Sequence, residues 1–131
     1  MLRITKITDY GFILLAYMAN QDENLLHNAK DLSASIDVPL PTVSKVLKIL
    51  TQGRILKSHQ GSKGGYSLSK QASKITAIDI IEAVEGPVAI TECSTVEGCD
   101  RDCPVSTSWQ QINHTVIGAL RGLTLADMSN G

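Results

Sequence analysis

Aromatic side chains are scarce: the 131 residues include one Trp, one Phe and three Tyr. So few flat apolar groups weigh against a large aromatic-lined substrate pocket. No apolar run is long enough to span a membrane. The short run from Phe12 to Met18 follows Arg3, Lys6 and Asp9 with no cleavage-site pattern, so nothing resembles a secretory signal. No Ser/His/Asp set and no paired carboxylates stand out, which argues against an enzyme. Cysteine is missing except at Cys93, Cys99 and Cys103. An odd number of thiols without an export signal points to a reducing cytoplasm, where thiols serve metals or redox chemistry.

Acidic residues are missing altogether between Val38 and Ile78, a stretch that carries Lys45, Lys48, Arg54, Lys57, Lys63, Lys70 and Lys74. From Asp79 to Cys103 the sign reverses: Asp79, Glu82, Glu85, Glu92, Glu97, Asp100 and Asp102 face only Arg101. Net charge is -1, so overall charge does not favour nucleic acid. Its distribution does, because it sets a basic working surface beside an acidic one.

What is present reads mostly as helix. Thr8 is a plausible N-cap for a first helix that buries Tyr10, Ile13, Leu14, Tyr17 and Met18. A short second helix follows Asn28, with Asp31 as capping partner and Ala29, Leu32 and Ile36 inward. Asp37-Val38-Pro39-Leu40-Pro41 is a turn, since each proline pushes its predecessor out of helical geometry. A third helix then sends Val43, Val46, Leu47 and Leu50 inward and ends at Gly53. Small hydroxyls and lysines remain on its outer side. Such a face allows close approach to a groove and places ammonium groups near phosphates.

Residues 55–58 and 66–69 read as short strands around the tip Gly61-Ser62-Lys63-Gly64-Gly65. A glycine-rich phosphate loop is the rival for that tip, but no Gly-Lys-Ser/Thr follows and no helix opens there. The expected fold is therefore mainly α with a small β-hairpin wing: a winged helix-turn-helix plus a long C-terminal dimerisation helix. The DNA-facing set is Thr42, Ser44, Lys45 and Lys48 on the third helix, with His59, Gln60, Lys63, Gly64 and Tyr66 in the hairpin.

Thr76 caps a fourth helix that Gly86-Pro87 stops. Pro104 opens a long helix to about Leu120, with Val105, Trp109, Ile112, Val116 and Ala119 at heptad spacing, suited to a helix–helix seam. Residues 123–131 read as a short or frayed tail. The domains are a DNA-binding head at 1–85, a cysteine loop at 86–103 and a dimerisation helix with tail at 104–131.

The cysteines are spaced C-x5-C-x3-C, three thiolates for one centre without a fourth. Cys103 falls at the expected N-cap of the long helix, where unsatisfied N–H groups favour thiolate. Thiolates are the ligands of iron–sulfur clusters. Tight zinc sites usually present C-x2-C or C-x4-C pairs, and no such pair occurs here. The acidic neighbours Glu92, Glu97, Asp100 and Asp102 raise thiol pKa rather than lower it. An iron–sulfur cluster, zinc and thiol redox chemistry all stay open on spacing alone.

The segments LRITKITDYGFILLAYMA, VPLPTVSKVLKILTQGRILKS and GSKGGYSLSK, together with the three cysteines, resemble the iron–sulfur-dependent winged-helix repressors of bacteria, the IscR and NsrR family. LPTVSKVLK and the shortened cysteine spacing resemble the subgroup that regulates SUF cluster-assembly genes. The resemblance implies a homodimeric repressor on palindromic double-stranded promoter DNA. It also implies one cluster per subunit on Cys93, Cys99 and Cys103, with 2Fe–2S ranked ahead of 4Fe–4S. In relatives that use a histidine ligand, it lies three residues after the last cysteine, where this chain has Ser106. His114 lies too far along the helix and reads as a surface residue. Other relatives take a carboxylate from the partner's first helix, and the matching residue is Asp9. Relatives often carry an arginine before the wing glycine, where this chain has Gln60.

Overall fold

Thr5, not Thr8, caps the first helix. In the computed structural model, which describes residues 5–22, 24–62, 64–86 and 105–129, α1 runs Lys6–Ala19 and the Thr5 side chain accepts from the Thr8 N–H. The Thr5 N–H donates to Glu85 Oε1 at 3.0 Å, a contact across 80 residues. The helix therefore starts earlier and its inward face is Thr8, Gly11, Leu14, Leu15 and Met18. Ile13 is left 41% exposed, and Tyr10 and Tyr17 are half-buried, so the expected stripe is rotated.

The next two helices follow the sequence closely. Asn28 caps α2 (Ala29–Ile36) by accepting from Asp31 N–H at 2.8 Å. Leu32 is fully buried, with Ala29 and Ile36 half-buried beside it. Asp37 at φ 55° turns the chain, and Ser33 Oγ donates to the Val38 carbonyl. After the Pro39 cap, α3 (Leu40–Gln52) buries Val43, Val46, Leu47 and Leu50. Each such aliphatic contributes about 1.5–3 kcal/mol of burial free energy.

Strands β1 (Leu56–His59) and β2 (Gly65–Leu68) form an antiparallel hairpin with Leu56 opposite Leu68 and His59 opposite Gly65. Each strand is displaced one residue toward the tip from the expected bounds. His27 adds a single-residue bridge to β2: its N–H donates to Tyr66 O at 2.9 Å and its carbonyl accepts from Tyr66 N–H at 2.7 Å. A 3-10 turn (Ala72–Lys74) leads to α4 (Ala77–Glu85). Thr76 and Asp79 make a reciprocal capping box there, as the sequence indicates.

The C-terminal region departs furthest from expectation. Helix α5 (Ser106–Arg121) has Val105 as its N-cap, so the cap position does not fall to Cys103. One side of α5, with Ile117 and Leu120, packs on Ile78 and Ile81 of α4. Beyond Gly122 there is no frayed tail but a sixth helix, α6 (Leu125–Ser129). Thr124 and Asp127 make a second capping box, at 3.1 Å for both bonds. Leu125 is 0% exposed, and α6 packs on α1 and the 3-10 turn. Backbone bonds Ala77 N–H to Leu123 O (2.9 Å) and Leu125 N–H to Ile75 O (2.7 Å) fix the return. The apolar face of Leu125 explains the departure: its burial outweighs the entropy of ordering a short segment.

Candidate nucleic-acid interface

Burial of the four aliphatics in α3 dictates which side chains point away from the core. Ser44, Lys45 and Lys48 are exposed and Thr42 is half-buried, with no acid in the helix. Leu40, at the first helical position, is 43% exposed. It escaped the sequence reading because an isolated leucine next to two prolines looks like turn packing. Arg54, held at φ 64°, and Lys57 on β1 extend the basic surface from α3 to the hairpin.

In the hairpin, Lys57, Ser58, His59 and Gln60 are exposed. His59 Nε2 lies 2.9 Å from Ser67 Oγ, so its ring is tied across the strands. Gly64 is required sterically: a Cβ there would stand 2.2 Å from the His59 carbonyl oxygen. Its N–H donates to Gly61 O at 3.0 Å, and Gly61 itself takes φ 111°. Tyr66 packs partly against the core and is anchored by its rung to His27. Lys63 lies outside the described residues.

His27 is buried at 7% exposure, with its ring edge-on to Tyr17 at 6.1 Å. Burial holds its pKa below the ordinary value, favouring the neutral imidazole. Its link to the hairpin has no signal in the sequence.

Cys93, Cys99 and Cys103 lie outside the described residues. Asp9 is exposed in the first turn of α1. That turn is joined to the end of α4 through Thr5 and Glu85, so Asp9 stands near the point where the chain enters residues 87–104. Hydrogen bonding by the Thr5 side chain, ahead of an opposing effect of burial and smaller help from Thr8, lowers the Glu85 pKa. Among the described residues, no group of three His, Cys, Asp or Glu could hold a metal ion. His114 is exposed on α5, as expected. No helix among the described residues is long and apolar enough to cross a membrane.

The outer face of α5 presents Val105 at 47%, Trp109 at 36% and Ile112 at 45% exposure. These are three of the five heptad positions.

A family model for Rrf2, described as an iron-dependent transcriptional regulator, matches residues 4–131. The regulator IscR of Serratia proteamaculans is 33% identical over 103 residues, which cover 76% of this chain and 62% of that relative. Among solved structures, CymR, the global cysteine regulator of B. subtilis, superposes with a TM-score of 0.79 at 27% identity, covering 99% of this chain and 98% of its own. IscR of T. potens gives a TM-score of 0.74 at 23% identity over 97% and 85% of the two chains, a likeness of fold. The mainly helical fold with its two-stranded hairpin is that of these winged-helix regulators.

Proposed function

Because this chain belongs to the Rrf2 family of transcriptional regulators, a family of regulators rather than enzymes, we propose that it is a homodimeric repressor of iron–sulfur cluster assembly genes. It reads a palindromic promoter operator in double-stranded DNA. The observation that carries the DNA surface is the acid-free outer face of α3, with Ser44, Lys45 and Lys48 exposed and continuous with Arg54 and Lys57. Thr42 and Ser44 are short enough to let the helix approach base edges. Lys45, Lys48 and Lys63 neutralise phosphates, and His59, Gln60, Gly64 and Tyr66 form the hairpin's share of the surface. Gln60 lacks the positive charge that a narrow minor groove attracts, so contact there is weaker than an arginine would make.

The exposed apolar face of α5 supports the homodimer, whose two heads then meet half-sites about 34–36 Å apart. The sensing centre belongs to Cys93, Cys99 and Cys103 with Asp9 of the partner subunit as fourth ligand. The donor set fits an iron–sulfur cluster: three thiolates, and a carboxylate that is exposed and available to a second chain. A bound cluster, 2Fe–2S ahead of 4Fe–4S, supplies a redox- and supply-sensitive group. The chain's own part is to hold that group between the α4 end and α5 and to couple it to head spacing.

Two measurements test the reading. Lys45→Ala and Lys48→Ala should weaken binding similarly across DNA sequences and flatten the dependence of affinity on salt, by about one unit of log–log slope each. An unchanged slope removes α3 from the phosphate contacts. Anaerobically purified protein should be coloured, with iron and sulfide in equal amounts. Colourless protein carrying stoichiometric zinc would replace the cluster with a structural metal, and metal-free protein would leave thiol redox chemistry.

A further inference from the structure

Under the root of the hairpin, the last turn of α1, Gln21, Asp22, Asn24, Leu25 and β2 line a cavity of about 250 Å³. Its wall is partly apolar, from Met18, Leu25 and Leu68. His27 forms part of the same wall at 7% exposure. A neutral imidazole offers one donor and one acceptor. Either can hydrogen-bond a group held in the cavity. Two groups of opposite charge, Asp22 and Lys70, also line it. One Asp22 oxygen accepts from Asn24 N–H at 2.9 Å, and the other has no hydrogen-bond donor among the described residues. Lys70 is exposed and has no acidic partner among the described residues.

We propose that this cavity binds a small zwitterion of amino-acid size. Lys70 takes the carboxylate, Asp22 the ammonium, and His27 hydrogen-bonds the ligand from the inside. Met18, Leu25 and Leu68 receive a short aliphatic side chain. The volume is below the roughly 300–1,000 Å³ of sites for drug-sized molecules, which sets the size class. The hairpin is built on the same wall. Ser67 lines the cavity and bonds His59, and His27 carries the backbone rung to Tyr66. Occupancy therefore stiffens the wing, and any change in operator affinity rests on the DNA reading above, whereas ligand binding does not.

Calorimetry on the full chain without DNA, using L-leucine and L-methionine as probes, tests the site. Saturable binding of at least one is expected at millimolar concentration, one molecule per chain. Lys70→Met and Asp22→Asn, both on exposed side chains, should each weaken it about tenfold, the loss expected for one charge-assisted contact. N-acetyl-L-leucine should bind more weakly than L-leucine to the parent chain but equally to Asp22→Asn. Absence of binding by both probes, or binding that both variants leave unchanged, overturns the proposal. Binding that leaves operator affinity unaltered upholds the site and refutes its coupling to the wing.

Discussion

Leu125→Ala should destabilise the protein far more than its place in the last short helix suggests. The side chain is 0% exposed and belongs to the same core as Leu14, Leu47 and Ile80. Truncating a fully buried leucine to alanine costs about 2–5 kcal/mol, the spread depending on how far the neighbours collapse into the space. In a chain of this length each kcal/mol moves Tm by about 3–5 °C, so a fall of at least about 6 °C is expected. Leu123→Ala is the matched control, two residues away and 47% exposed. Its cost should stay within about 0.5 kcal/mol. Both variants keep the backbone bonds of the return, so only packing differs. Thermal melts followed by far-UV circular dichroism, at one fixed protein concentration, compare the two. Indistinguishable melting of Leu125→Ala and Leu123→Ala would refute the claim that α6 is part of the core.

Gly65→Ala should cost about 1–3 kcal/mol and loosen the hairpin, because a Cβ there meets the His27 carbonyl oxygen at 2.8 Å with backbone behind it. Hydrogen exchange at the Tyr66 amide reads this, and unaltered protection would contradict it. Stability should fall as pH drops from above 6.5, because burial depresses the His27 pKa below that ordinary value. The unfolded chain then binds more protons than the folded one through that window, so the contribution is full above 6.5 and lost as pH falls through the folded pKa. Urea titrations at successive pH values should show the slope, and His27→Gln should reduce it. Ile112→Asp, at a site 45% exposed on α5, should shift sedimentation equilibrium toward monomer while leaving helix content unchanged. Retention of the dimer would move the seam off this face.

The elements most readable from the sequence were those whose signals are local. Asn28 with Asp31 and Thr76 with Asp79 are capping pairs three residues apart, and both are found. The α3 stripe was equally plain, because Val43, Val46, Leu47 and Leu50 leave no second way to face the core. The start of α1 is ambiguous in the sequence because Thr5 and Thr8 are both competent caps. What favours Thr5 includes Glu85, which no local pattern reveals. The last helix was missed although its signal was present: Thr124 and Asp127 repeat the spacing of Thr76 and Asp79. Gly122 reads as a stop, and the heptad pattern marks one side of α5, while Ile117 and Leu120 face α4. For the proposed DNA surface, the run without acids locates α3 and the hairpin together. It did not distinguish an exposed side chain such as Gln60 from a glycine like Gly64, whose need is steric.

The return of the chain after α5 changes what that helix is mechanically. A helix followed by a loose tail swings on one hinge. Here α5 rests along α4, and just past its far end Thr124 pairs with Thr76 while Leu125 plugs into the head. It is a beam clamped to the body rather than a boom pivoting from it. A displacement imposed on its Ser106 end has little freedom to be absorbed within the helix. The clamp ties the C-terminal half of α5 to the body that also holds α3.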